Sequence, residues 1–342
     1  MHSPLRVGIL GLSHDHAWDN LPFLAAHEDA TIVAAADPNG PLTTRAAEEY
    51  GCKTYASSIE LLSTEELDAV YIFSNNAEGA ELAVKAMEQK LHVLIEKPMA
   101  ASLAQANQMV EAAKANEVKL MINWPFAWWP QLQKALAMAS EGAVGKLWAV
   151  KYRAAHAGPA ELGCSEYFCD WLFNPELNGA GALMDYCGYG CVLSAALLGL
   201  PESVTGMTGG QVKEGLTVED NAILAMKYPF GMSSAEASWT QIGKLTSYTT
   251  TFYGTEGTLL VEPRLGGRLF IATERDPLGS EVPVLDPEPE LQNSANQFLH
   301  IIRNDAEPWL LTHPDHARNA QEILEAGMRS VETGSHQTLP LG

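Results

Sequence analysis

The run Arg6-Val-Gly8-Ile-Leu-Gly11-Leu12-Ser13-His14-Asp15-His16 sets a glycine directly after a short apolar stretch. A glycine there lets a strand turn sharply into a helix whose first amides can hold a pyrophosphate. Gly8, Gly11, Leu12, Ser13 and His14 are therefore candidate cofactor contacts. Only part of the G-x-G-x-x-G fingerprint is present: Gly11 fills the first position, Ser13 the second and His16 the third. The same stretch admits another chemistry, because His14-x-His16 after a first strand is how metal-dependent barrel hydrolases offer two imidazoles to zinc. That reading needs further strand-end ligands, whereas the later candidate strands end in Ser74-Asn75, Glu96-Lys97-Pro98 and Asn123, so no metal is expected. Asp37 follows Gly11 by 26 positions (37 minus 11), where an acid can bond both ribose hydroxyls of adenosine and repel a 2′-phosphate. NAD is favoured over NADP on this reading. Asp37-Pro38 also fits a helix N-cap followed by proline in the first turn.

These residues need a scaffold of alternating strands and helices. Apolar runs at Arg6–Leu10, Thr31–Ala36, Ala69–Phe73, His92–Ile95 and Lys119–Ile122 alternate with segments of helical spacing, such as Ala80, Ala83, Val84, Met87 and Leu103, Ala106, Val110, Ala113. That alternation predicts a doubly wound parallel sheet of the Rossmann type over residues 1–123. After Trp124 the period changes. Leu147 to Ala154, Ala222–Tyr228, Ser247–Tyr253 and Arg268–Thr273 read as strands separated by glycine and proline. Residues 124–342 are therefore expected to form an α/β domain on a large, mostly antiparallel open sheet, with helices near Ala180–Leu198 and Ala320–Val331.

Composition narrows the partners. The chain has 342 residues, 46% of them hydrophobic and 18% charged, enough for two ordinary cores. Its 42 acidic against 21 basic residues give a formal charge of −21, which repels nucleic-acid backbones and anionic lipid surfaces. Five cysteines form no evident disulfide framework, and apolar stretches such as Val192–Leu200 fall short of the ~20 residues of a membrane span. A cytoplasmic protein without nucleic-acid or membrane partners is expected.

The string Glu96-Lys97-Pro98 after the run from His92, together with the turn at Gly11 and with Asp37, resembles the Gfo/Idh/MocA family of NAD(P)-dependent oxidoreductases. Further matches are Gly142-x-x-Gly145-Lys146, Gly179-Ala-Gly181-Ala-Leu183-Met-Asp185 and Tyr253-Gly254-Thr-Glu-Gly257, so the resemblance spans nearly the whole chain. It implies that Lys97 sits between nicotinamide ribose and substrate, that the bond before Pro98 is cis, and that Ser74, Asn75, Glu96 and Asn123 also serve the cofactor. It implies further that Asp185-Tyr186-Cys187-Gly188-Tyr189 is the family's D-x-G-x-Y type of motif, in which Tyr189 gives and takes the hydroxyl proton beside Asp185. A phenol near pKa 10 is a poor base at neutral pH, and Lys97 is the positive charge the sequence offers to lower it. Positions 185 and 189 share a helix face; Tyr186 and Tyr189 also fit plain core packing.

The chain departs from the family pattern at two points. Gly79 stands where a histidine is usual after the fourth strand, and Trp124 to Trp129 stands where an arginine is common. Indoles such as Trp124 and Trp128 suit the apolar face of a sugar and equally suit packing between elements. His156, Asp170 and Trp171 are further candidate substrate contacts. The expected activity is hydride transfer between NAD(P) and a secondary hydroxyl or carbonyl of a sugar, cyclitol or related polyol, by a homodimer or homotetramer. The alternatives on this fold are an NAD-retaining glycosidase or lyase and a ligand-binding sensor without catalysis.

Overall fold

The computed structural model describes residues 3–209 and 212–342. The chain divides into two compact units. The first comprises Met1–Asn123, Cys164–Gly179 and Pro289–Arg318; the second comprises Trp124–Gly163, Ala180–Glu288 and Asn319–Gly342. The boundary read after Asn123 marks where the chain first leaves the nucleotide-type unit. The same unit takes in the later stretches 164–179 and 289–318, which carry helices and no strand.

The first unit is built on six parallel strands: β1 (Leu5–Leu10), β2 (Ala30–Ala36), β3 (Lys53–Tyr55), β4 (Ala69–Ile72), β5 (His92–Glu96) and β6 (Leu120–Asn123), in the order β3-β2-β1-β4-β5-β6. Helices lie between successive strands, and the strand order reverses between β1 and β4. That switch point is where open α/β sheets leave a crevice at the strands' carboxyl ends. β3 was missed in the sequence because it is a short edge strand, exposed at Lys53 and Thr54, with no apolar run. The returning segment 289–318 covers part of this unit: Phe298 meets Tyr71 edge-on at 5.4 Å, and Thr312 accepts the Ile122 amide.

The second unit carries nine strands: β7 (Leu147–Ala155), β8 (Ser203–Thr208), β9 (Asn221–Tyr228), β10 (Gly231–Ser238), β11 (Thr249–Gly254), β12 (Gly257–Val261), β13 (Leu269–Thr273), β14 (Asp276–Val282) and β15 (Gln337–Thr338). Their order is β14-β13-β12-β11-β7-β10-β9-β8-β15, and every pairing is antiparallel except β7 with β10. In β9 the alternation is regular: Ala222, Leu224, Met226 and Tyr228 are buried, whereas Ile223, Ala225 and Lys227 are exposed. The buried face is covered by a π-helical turn, Leu183–Cys187, that runs directly into the helix Gly188–Leu198. Gly190 permits this close seating, because a Cβ there would meet the Ala235 Cβ at 2.6 Å. The apolar stretch Pro175–Leu198 has the length and composition of a membrane span, but 78% of its 18-residue apolar window is buried inside the protein and Gly179 breaks it, as expected of core segments.

Candidate active site

The turn after β1 is held by three backbone donors. The Gly11 amide donates to Ala36, the Leu12 amide to Asp37 Oδ2 at 2.7 Å, and the His14 amide to Phe73. Gly11 has φ +80°, and a Cβ there would meet the Ser74 amide nitrogen at 2.6 Å. Only glycine fits both demands. The amides of Ser13 and Asp15 donate to no acceptor among the described residues. Two open donors in a glycine turn ahead of a helix are a cradle suited to a dinucleotide's phosphates.

Asp37 is buried, and its carboxylate is already engaged: Oδ2 by Leu12, Oδ1 by the Asn39 amide and side chain at 2.8 and 2.9 Å. It therefore ties β2 to the turn and contributes its charge there. His14 is also buried, with its ring against Phe168 and Trp171, and its Nδ1 accepts the His16 amide. Burial foremost, then the neighbouring His16 and Lys97, pushes its pKa well below the usual range, so the ring stays neutral. Ser13 accepts the Trp171 indole N–H, and the Asp15 carboxylate accepts both the amide and the hydroxyl of Ser165 at 2.7 and 2.6 Å. The segment 164–179 thus braces the turn, a function the sequence reading assigned to no residue.

At the carboxyl end of β5, Glu96 accepts His16 Nδ1–H at 2.8 Å and Asn123 Nδ2–H at 2.5 Å. Asn123 also donates to Asn20, and Asn20 in turn donates to the His16 carbonyl. Ligating atoms of His14, His16 and Glu96 lie within 4.8 Å of one another, with both Glu96 oxygens occupied by these side-chain donors. Lys97 is only 3% exposed, and the Lys97–Pro98 bond is cis, as the resemblance implies. A buried ammonium on the strand edge of a nucleotide-type unit can stabilise an oxyanion.

In the second unit, Asp185 lies on the π turn and Tyr189 on the helix that continues it. Such insertions often mark functional positions. Asp185 is buried and accepts the Trp239 indole N–H at 3.2 Å. Tyr189 sits in a box of rings: Tyr152 is stacked on it at 5.7 Å, and the edges of Trp124 and Phe126 approach at 5.2 and 4.8 Å. Tyr186 lies at 5.7 Å from Tyr189, touches His156 edge-on and shares a 2.8 Å hydrogen bond with the Tyr248 hydroxyl. Burial, with neighbouring phenols and Asp185, raises the pKa of Tyr152 and Tyr186 well above the ordinary value, so both remain protonated. Tyr248 reaches this group from a strained backbone, φ 57°, a left-handed conformation rare for an aromatic residue.

The structure brings Asp185, Tyr186, Tyr189, Trp124 and His156 into one unit, and Gly11, Leu12, Ser13, His14, Asp37, Ser74, Glu96, Lys97 and Asn123 into the other. Several predicted contacts also serve the fold. Gly8 makes room for Leu67, whose Cδ1 a Cβ would meet at 2.7 Å, and Asn75 caps the helix Asn76–Glu88 through the Glu78 amide. Trp171 is turned onto His14, Asp170 is exposed and Trp128 half-buried. Cys187 and Cys191 are buried, and burial raises both thiol pKa values, matching their reading as small apolar residues. Tyr152, Tyr248 and Trp239 were missed, since nothing in the spacing of distant strands reports which rings meet one helix. Asn20, Asp15 and Ser165 were missed for the same reason.

Known proteins carry the same organisation. Residues 5–124 match the oxidoreductase family with an NAD-binding Rossmann fold, and residues 132–260 match the GFO/IDH/MocA C-terminal domain. A dTDP-3,4-didehydro-2,6-dideoxy-alpha-D-glucose 3-reductase from Streptomyces antibioticus is 24% identical over 328 residues, covering 94% of this chain and 96% of that one. A scyllo-inositol 2-dehydrogenase (NADP(+)) from Bacillus subtilis is 28% identical over 273 residues, 76% of each. The WlbA dehydrogenase from Bordetella pertussis, solved with NADH and UDP-GlcNAcA, superimposes with a TM-score of 0.82 at 22% identity over 99% of this chain and 100% of that one. With both of its parts matched, the turn at Gly11 and the Glu96-Lys97-Pro98 strand end included, the chain belongs to the Gfo/Idh/MocA family of NAD(P)-dependent oxidoreductases.

Proposed function

We propose that this enzyme moves hydride between NAD and a secondary hydroxyl, or the matching carbonyl, of a sugar, cyclitol or related polyol. The observation that carries the reading is the buried ammonium of Lys97, next in sequence to a glutamate bonded to the head of the first helix. The nicotinamide, when bound, supplies or accepts the hydride. Gly11, Ser13 and Asp15 present the turn that holds the nucleotide, and Lys97 stabilises the charge that develops on the substrate oxygen. Tyr189 takes the hydroxyl proton during oxidation and returns it during reduction, with Asp185 orienting that hydroxyl. Protonated Tyr186 and Tyr152 and the surrounding rings suit a polyol, which offers hydroxyls along its rim and C–H groups on its faces.

The negative charge of Asp37 at the end of β2 supports NAD over NADP, acting by repulsion of a 2′-phosphate without requiring direct contact with ribose. One sheet face exposes the register partners Met207 and Ile223, and elsewhere Met232 and Leu260, with Lys151, Arg153 and Lys227 between them, and these exposed apolar residues support a homodimer or homotetramer formed through it. The composition supports a cytoplasmic setting.

Mass spectrometry of the native protein for a retained nucleotide, followed by absorbance assays on aldoses and inositols, tests the reading. Tyr189→Phe is expected to lower kcat by about 10²–10⁴-fold while NADH binding persists. Full activity in Tyr189→Phe sinks the acid–base assignment, and substrate turnover without net change in the nucleotide sinks the dehydrogenase reading.

A further inference from the structure

The third small-residue position of the dinucleotide fingerprint is held by His16, and its ring occupies an unusual setting. His16 heads the helix Ala17–Ala25, yet its side chain caps no helix amide. Its Nδ1 is bonded to Glu96 Oε2, Glu96 Oε1 to Asn123, Asn123 to Asn20, and Asn20 back to the carbonyl of His16 itself. Ser294 adds a fifth group at 2.5 Å from Asn20, and the His14 ring lies 4.5 Å from that of His16. Glu96, Asn123, Asn20 and His14 are all buried, whereas 28% of the His16 side chain reaches solvent. A closed network of buried polar groups therefore fixes one partly exposed imidazole. With Nδ1 donating to Glu96, Nε2 makes no hydrogen bond among the described residues.

The backbone around it lacks one donor that a glycine turn would offer. The His16 amide is taken by His14 Nδ1, while the amides of Ser13 and Asp15 have no acceptor among the described residues. We infer that His16 Nε2 replaces that amide as a ligand for the diphosphate of the nicotinamide dinucleotide, so that the histidine is a binding residue. The inference rests on the nucleotide dependence stated above. It links nucleotide recognition to Glu96, and through the chain to Lys97, by side-chain bonds that a fingerprint glycine could not make.

Titration of the protein with NADH, followed by its fluorescence, needs no knowledge of the sugar. His16→Asn retains a donor toward Glu96 and lacks the outward nitrogen; His16→Gly restores the small residue; His16→Gln offers an outward amide. Removing a hydrogen bond to a charged group predicts NADH binding weaker by about 10-fold or more in the Asn and Gly variants. Partial recovery is expected in the Gln variant, with the melting temperature of the Asn variant near that of the parent. If His16→Gly binds as well as the parent or more tightly, the histidine is a tolerated obstruction and the inference falls while the dehydrogenase reading stands. Unchanged affinity in a folded His16→Asn protein overturns it as well. Failure of the parent to bind NADH or NADPH overturns both.

Discussion

The two units build their functional groups from opposite materials. Around the turn after β1, order comes from hydrogen bonds: Asp37 to Leu12, Asp15 to Ser165, and the loop from His16 through Glu96, Asn123 and Asn20. Around Tyr189, order comes from ring faces and edges, with Trp239 to Asp185 and Tyr186 to Tyr248 as the polar ties. Hydrogen-bonded frames are directional and hold donors at fixed points, which suits a cofactor that never varies. Packed aromatic walls are less directional, and a changed ring alters the packing without leaving an orphaned charge.

The contrast can be broken at either end. The largest effect is expected from Tyr189→Phe, which leaves the ring box intact and removes the phenol, so kcat falls by about 10²–10⁴-fold with the melting temperature nearly unchanged. A comparable loss of folding would make Tyr189 a packing residue instead. Next is Gly11→Ala, which combines a positive φ with a backbone clash at Ser74. The left-handed conformation alone costs about 1–2 kcal/mol, and NADH affinity is expected to fall with stability in calorimetric and fluorescence titrations. A smaller change follows Ser165→Ala, which removes both a helix cap on Phe168 and the hydroxyl partner of Asp15. Chemical denaturation should register about 1 kcal/mol, with NADH binding weakened because the brace on the turn is loosened.

The smallest effect is a pH dependence. The folded pKa of His14 lies well below the unfolded value of about 6.5. The unfolded chain therefore binds the extra proton first, and the stability held above pH ~6.5 is lost as pH falls below it. The melting temperature of the parent should drop relative to that of His14→Gln on acidification. Parallel curves would mean that the ring is hydrated in the native state.

Much of the framework was readable in the sequence because period and punctuation are local. The runs at 6–10, 31–36, 69–73, 92–95 and 119–122 each became a parallel strand, and Glu96-Lys97-Pro98 lies at a strand end as read. β3, β8, β10, β12, β14 and β15 escaped notice. β3 and β15 are very short, and β14 is half exposed along its length, so no apolar alternation marks them. β10, Gly231–Ser238, buries alanines and serines in place of large residues, because the helix bearing Gly190 lies tightly upon it. Candidate residues could be picked out where a motif is contiguous, as at Gly11 and Asp185 to Tyr189. Contacts that span long sequence separations were not readable, as for Asp15 with Ser165, 150 positions apart, or Tyr186 with Tyr248. Asp37 illustrates a subtler limit: its type and position were read correctly, but which of its oxygens the loop would occupy depends on amides that no spacing rule reports.

The interleaved path of the chain has a practical corollary. A fragment ending at Asn123 would carry all six strands of the nucleotide-type unit and still lack Ser165, Trp171, Phe298 and Thr312, the groups that cover its turn and its flank. Anyone swapping modules between homologous dehydrogenases would have to transplant three separate stretches together, since a chimera joined at one seam would inherit a hydrophobic wound where the returning helices belong.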